Sequence, residues 1–171
     1  FDGKVPAAGE LTEIEKEVFA QIPQIKASLE KNIEGFHFRE ALKDAMSIAR
    51  LGNKYISDTE PWKVAKTDMQ RCATILNVSL QLCADLAIAF EPFTPFAAGR
   101  LRRMLGLQLD WELIGKTEIL PEGHCIGEAE LLFGKVEDAD IDRQLARLDA
   151  IRAEREAAEK AEAAKIVKPQ K

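Results

Sequence analysis

Apolar side chains at Leu11, Ile14, Val18, Ile22, Ile25, Leu29 and Ile33 recur every three or four residues, the spacing that lines one face of an α-helix. Thr12 and Glu15 precede the run with capping-box spacing, so they open it. Pro23 stands inside the pattern and predicts a kink or break near Ile22. A second run, from about His37 to Ile56, places Phe38, Leu42, Ala45, Ala49, Gly52 and Ile56 on one stripe. A glycine inside a helix costs roughly 1 kcal/mol against alanine, so close packing is expected at Gly52.

The polar turn "SDTEPW" follows, with Asp58 or Thr59 placed to cap and Pro61 suited to a first helical position. Thr67 and Gln70 form another capping box before the longest apolar stretch, "CATILNVSLQLCADLAIAF". Apolar residues fall all round this helix, about Thr67 to Phe90, which predicts the central, most buried element. Its exceptions, Asn77, Gln81 and Asp85, share one stripe, read as a solvent strip or a hydrogen-bonded seam before a ligand groove. Thr94–Pro95 starts a short helix ending at Gly106. Residues 107 to 134 carry no helical period. A charged helix begins at Glu137, docked by Ile141, Leu145, Leu148 and Ile151. Beyond it, "RAEREAAEKAEAAK" has no large apolar residue and reads as solvated helix or linker. The predicted fold is all-α, a bundle of about five helices over residues 1–150 with a charged extension over 151–171.

Charge narrows the partners. The formal net charge is -5, with 24 basic and 29 acidic side chains, and the body before residue 137 is acidic by itself. A sequence-blind grip on duplex DNA, which depends on neutralising phosphates, is not expected. Stacking on a few unpaired bases needs no basic surface everywhere and stays open. Three scattered cysteines, Cys72, Cys83 and Cys125, form no CxxC pair, so neither a zinc site nor a disulfide framework is expected, and a reducing cytoplasm fits. No apolar run reaches the ~20 residues of a membrane span, and no leader peptide is expected. An opening Phe1 and a closing "KIVKPQK" read as a piece of something longer.

Catalytic chemistry finds little support. His37 and His124 lie in different segments, and His37 reads as a surface or capping residue. His124 and Cys125 lack further metal ligands. Glu128 and Glu130 have nothing to set their acidities apart. No Gly-rich phosphate loop occurs. Arg100, Arg102 and Arg103 read as a solvated face first and a phosphate contact second.

Trp62 is different. It follows a proline inside a turn bracketed by Asp58, Glu60, Lys63 and Lys66. Proline stiffens the backbone, so the indole is held at a helix start at low entropic cost. Unpaired N–H groups belong to such a start. A rigid aromatic face beside backbone donors suits an unstacked base. Asn53, on the preceding helix, is placed to face the same pocket. On composition alone, a Trp packed in the core under the turn is the competing reading.

"NKYISDTEPWKVAK" resembles the N-[KR]-Y-[IV]…PW-x-[VL]-AK motif of the anticodon-binding domain of methionyl-tRNA synthetases. "ATILNVSLQLCADLAIAFEPFTPFAAGRL" is similar to that family's long helix, and "LFGKVEDADI" to the strand-like segment leading into its last helix. The likeness spans roughly residues 10 to 150. It implies an anticodon reader for methionine tRNAs (CAU) in which Trp62 stacks on a base and Pro61 braces it. It further implies that Asn53 lies near the pocket and Lys135 near the anticodon loop. The resemblance also implies a parent enzyme that joins methionine to tRNA using ATP, with zinc in its catalytic part and no cofactor in this chain. The implied parent dimerises through a further C-terminal domain, acts in the cytoplasm and binds neither DNA nor membrane. "GHCIGE" lacks the second histidine of the family's HIGH signature, so no catalysis by this chain is expected. The anticodon domain of another class I synthetase and a non-catalytic helical adaptor with Trp62 in its core stand as alternatives.

Overall fold

The computed structural model describes residues 1–166; positions 167–171 of the expected extension lie outside the described residues. The chain divides into two compact units, Phe1–Leu132 and Phe133–Lys171. The first unit holds five helices: α1 Glu13–Glu34, α2 Phe38–Thr59, α3 Pro61–Val64, α4 Met69–Ala89 and α5 Pro95–Leu105. The second holds α6, Asp138–Ile166. Among the described residues the only β pairing is an isolated bridge between Lys4 and Cys125, so the all-α expectation holds.

α1 opens as expected, with the Glu15 carboxylate accepting from the Thr12 N–H at 2.9 Å and the Thr12 hydroxyl at 2.6 Å. It then runs unbroken through Pro23, against the expected break. Ile22 and Leu29, either side of the proline, are fully buried, and each buried aliphatic side chain contributes ~1.5–3 kcal/mol. That burial offsets the ~3 kcal/mol penalty of an interior proline. α2 returns antiparallel: Ser28 donates to Asp44 at one end of the pair and Tyr55 donates to Glu15 at the other.

The buried line of α2 is Ala41, Ala45, Ile48, Gly52 and Tyr55; it keeps Ala45 and Gly52 of the expected stripe but takes Ala41, Ile48 and Tyr55 in place of Leu42, Ala49 and Ile56. Phe38 and Leu42 are exposed, and Ala49 and Ile56 only half-buried. Apolar residues occupy two adjacent lines of this helix, and spacing alone does not choose between them. Gly52 faces Leu82, but an added Cβ would meet it at 3.8 Å, an ordinary contact. Close packing therefore does not require the glycine.

α4 is the centre, packed against α2, α3 and α5. Ile75, Val78, Leu82 and Ile88 join α1 and α2 residues in one cluster; Ala84 and Ala87 join Val5, Leu105 and Leu120 in a second. By length and hydropathy α4 could cross a membrane, contrary to the sequence reading, but 67% of its most apolar window is buried inside the protein. It is a core helix. Its N-cap is Asp68, whose carboxylate accepts from the Arg71 N–H at 2.8 Å, so the expected Thr67–Gln70 box is replaced by a cap one residue later. The Asn77, Gln81, Asp85 stripe is a seam to the irregular segments. Asn77 donates to the Pro6 carbonyl, and Gln81 donates to the Leu120 carbonyl while accepting from the N–H groups of Ile119 and Leu120. Asp85 accepts from the Gly115 N–H at 2.9 Å.

α5 stops at Gly106, left-handed at φ 62. The His124 imidazole bonds the Leu105 carbonyl at 2.7 Å, so this histidine caps a helix end. Arg102 bonds the Ala87 carbonyl and Glu91, and Arg100 bonds the Leu132 carbonyl, giving two of the three clustered arginines structural partners. In the second unit, Ile141, Leu145, Leu148 and Ile151 are exposed on α6. These four residues form one apolar line along an otherwise densely charged helix.

Candidate nucleic-acid interface

α2 and α3 are separated by one residue. Glu60 adopts φ 42, ψ 59, the left-handed region, which costs a non-glycine residue about 1–2 kcal/mol. The Glu60 N–H donates to the Ile56 carbonyl, closing α2, and its own carbonyl accepts from Lys63 at 2.8 Å and Val64 at 3.2 Å, starting α3. The N-cap is thus Glu60, without a side-chain capping bond. Asp58 is exposed in an ion pair with Lys54, and the Thr59 hydroxyl turns back to the Tyr55 carbonyl. Neither caps α3 as expected.

Pro61 takes the first helical position and is buried. Its carbonyl accepts from the Ala65 N–H at 2.9 Å, with the Cys72 thiol 3.7 Å away. Val64 packs against the main cluster. Anchored on both sides, Trp62 nonetheless points outward, 55% exposed. It is not a core residue. Fewer donors surround it than the sequence suggested, because Lys63 and Val64 already donate to Glu60 and Pro61 has no N–H. The Trp62 N–H is left without a partner among the described residues.

Under this turn lies a charged network. Glu15 is fully buried; Arg71 reaches it with two nitrogens, at 3.1 and 2.6 Å, and the Tyr55 hydroxyl at 2.8 Å. Burial pushes the Glu15 carboxyl up, but bonds from Arg71, Thr12 and Tyr55 outweigh it and hold the group at about 2. Burial, and then the Glu15 carboxylate, raise the Tyr55 phenol. The network ties the start of α1, the end of α2 and the start of α4 together around α3, fixing the two ends of the Trp62 turn.

Residues 5–153 match the family described as the anticodon binding domain of methionyl tRNA ligase. The chain belongs to that family.

Curated relatives agree. It is 54% identical over 159 residues to the methionine–tRNA ligase of Phocaeicola vulgatus, covering 92% of this chain and 23% of the relative. With that of Bacteroides fragilis it is 55% identical over 163 residues, covering 94% and 24%. The chain therefore spans about a quarter of the length of these relatives. The fold matches Mycobacterium tuberculosis methionyl-tRNA synthetase in complex with methionyl-adenylate at TM-score 0.66 and 24% identity, over 79% of this chain and 28% of that one.

Within this anticodon-binding domain, Trp62 and Pro61 stand together on α3. Asn53 is exposed on α2 and shares no hydrogen bond with Trp62. Lys135 lies in the second unit, exposed and paired with Glu137 at 3.3 Å. The Glu15–Arg71–Tyr55 network went unread in the sequence. Tyr55 belongs to the N-K-Y motif, but no spacing links Glu15 to Arg71. Among the described residues, no group of three or more His, Cys, Asp or Glu is placed to hold a metal ion, so the zinc implied for the parent has no fit here.

Proposed function

We propose that this chain is the anticodon reader of a methionine–tRNA ligase and that Trp62 is its stacking platform. The observation that carries this reading is an indole 55% exposed on a helix start whose proline is buried. A large aromatic left open on a rigid support offers a face to an unpaired base without an ordering cost. The tRNA is the methionine acceptor with a CAU anticodon. Pro61 braces the platform, Asn53 contributes to the pocket from α2, and Lys135 serves the anticodon loop from the second unit.

Residues 1–150 form the recognition domain, and 151–171 lead towards a further C-terminal domain through which the parent dimerises. The parent activates methionine with ATP in a separate, zinc-bearing catalytic part, in the cytoplasm. This chain contributes specificity and positioning, with no bond chemistry of its own.

The test is Trp62→Ala in the full-length protein. Losing a stacking platform costs ~1–3 kcal/mol, about 5- to 150-fold in the tRNA-dependent rate, while methionine-dependent pyrophosphate exchange stays unchanged. Normal tRNA charging by a stably folded variant would refute the platform.

A further inference from the structure

α2 carries a second feature that the platform does not use. Arg39, Lys43, Arg50 and Lys54 are all exposed. At 100° per residue they fall within ~60° of one another, directly opposite the buried Ala45–Gly52 line. No acidic residue lies within that line; Glu40 and Asp58 sit to one side, ~70° from its centre and ~40° from Lys54. The four cations extend ~22 Å along the axis, long enough to meet several successive phosphates of one nucleic-acid strand. Arg50 also bonds the Lys43 carbonyl and the Ser47 hydroxyl, both at 3.3 Å, which orders one side chain of the row. Lys54 has only a loose pair, 3.9 Å to the exposed Asp58. In a chain of net charge -5, a line of four like charges is a local reversal of sign. It ends less than two turns before Glu60, where the chain bends to present Trp62.

We propose that the outward face of α2 is a phosphate track: Arg39, Lys43, Arg50 and Lys54 hold the sugar–phosphate backbone of the RNA strand whose base stacks on Trp62. The inference rests on the platform reading and extends it from one base to the adjoining strand. Charge complementarity and continuity with the Trp62 turn favour an RNA backbone over an acidic protein as the occupant. The two parts do different work. Stacking on Trp62 is nearly independent of salt, whereas the track acts by releasing counterions and fades as salt rises.

The experiment measures methionine-tRNA affinity against KCl concentration for the full-length protein and three variants. In R39Q/K43Q/R50Q/K54Q, the slope of log K against log salt should shrink by about 3, from ~0.7–0.9 per phosphate contact. Its affinity should converge on wild type at high salt. Trp62→Ala should lose 5- to 150-fold in affinity with an unchanged slope. Lys16→Gln, an exposed cation on α1, should change neither. The half-variants R39Q/K43Q and R50Q/K54Q, each expected to lose half the slope change, carry the test if the fourfold variant melts early. A wild-type slope in the charge variants while Trp62→Ala binds weakly would overturn the track alone. So would a slope loss in Lys16→Gln equal, per charge removed, to that of the track variants, which would reveal a net-charge effect, or weakened binding of a polyglutamate peptide with tRNA unaffected. Wild-type binding by every variant would remove the platform reading together with the track.

Discussion

The Arg71 guanidinium forks onto the Glu15 carboxylate across 56 residues of sequence, with Arg71 three-quarters buried and Glu15 wholly so. Breaking a buried pair from one side leaves the other charge without compensation and costs ~3–5 kcal/mol. Arg71→Met should therefore lower the melting temperature by roughly 10–20 °C in a domain of this size. Tyr55→Phe, which removes one bond to the same charge, should cost ~1.5–3 kcal/mol. Thermal denaturation of the two variants checks the order; a milder Arg71→Met than Tyr55→Phe would contradict it.

The same carboxylate sets an acid limit. Its value is about 2 in the folded chain against 4.5 ordinarily, so the fold favours the ionised form. That stabilisation is complete above pH 4.5 and drains away as pH falls towards 2. Arg71→Met raises the folded value, so its stability, lower throughout, should fall less steeply over that window. Denaturant titrations from pH 5 downwards would read the two slopes.

Asp85 should behave in the opposite sense. It is fully buried, and one of its oxygens has no partner. Burial pushes the carboxyl up to about 7, only partly relieved by the Gly115 N–H. The folded chain thus favours the protonated form, and stability contributed below pH 3.8 is lost as pH rises through 7. Asp85→Asn keeps an acceptor for Gly115 and has no charge to bury. The variant should match or exceed the wild-type stability at pH 8, by on the order of 1–3 kcal/mol, and lose the decline between about pH 4 and 7.

Gly52→Ala should stabilise the protein. The added methyl meets Leu82 at an ordinary 3.8 Å, and alanine improves on glycine in a helix interior by roughly 0.5–1 kcal/mol. An increase of a few degrees in melting temperature, with tRNA charging unchanged, is the expected result. A decrease would mean that α2 and α4 close further here than the structure shows.

Trp62 gives the most direct optical check. With Trp111 replaced by Phe, the remaining indole should be readily quenched by iodide, and bound anticodon stem-loop should protect it. Trp62→Ala should melt within a few degrees of wild type, since no core packing is lost; a collapse of stability would contradict the exposed placement.

What could be read in advance followed physical range. α4 was legible because an apolar pattern all round a helix admits one place, the centre. α5 was legible because Pro95 and Gly106 are local signals of start and stop. On α2, Ala45 and Gly52 are buried as the spacing expects, but Tyr55 is buried in place of Ile56 because its hydroxyl has a buried partner, Glu15, that no local pattern shows. That α1 continues past Pro23 without a break has the same kind of cause, since the burial of Ile22 and Leu29 is tertiary. The caps at Glu60 and Asp68 each fell one residue away from the stronger-looking candidates. Trp62 was found through its motif, whereas its exposure needed the structure, because a Trp under a turn and one over it have the same sequence.

The membrane-like apolarity of α4 also bears on the order of folding during synthesis. A helix this apolar is hazardous while bare, since exposed apolar surface is what nascent chains aggregate through. α1 and α2 precede it in the chain, so the partners for Ile75, Val78 and Leu82 are already outside the ribosome when α4 emerges. The other flank has only Val5 as early cover: Ala84 and Ala87 wait for Leu105 and Leu120, made about 20 to 35 residues later at a rate of ~5–20 residues per second. For a few seconds the nascent domain is a half-closed sandwich, open on the side that the Gln81 and Asp85 seam will later lace shut. Chaperone dependence in this protein should therefore concentrate in that interval, after α4 and before residue 120.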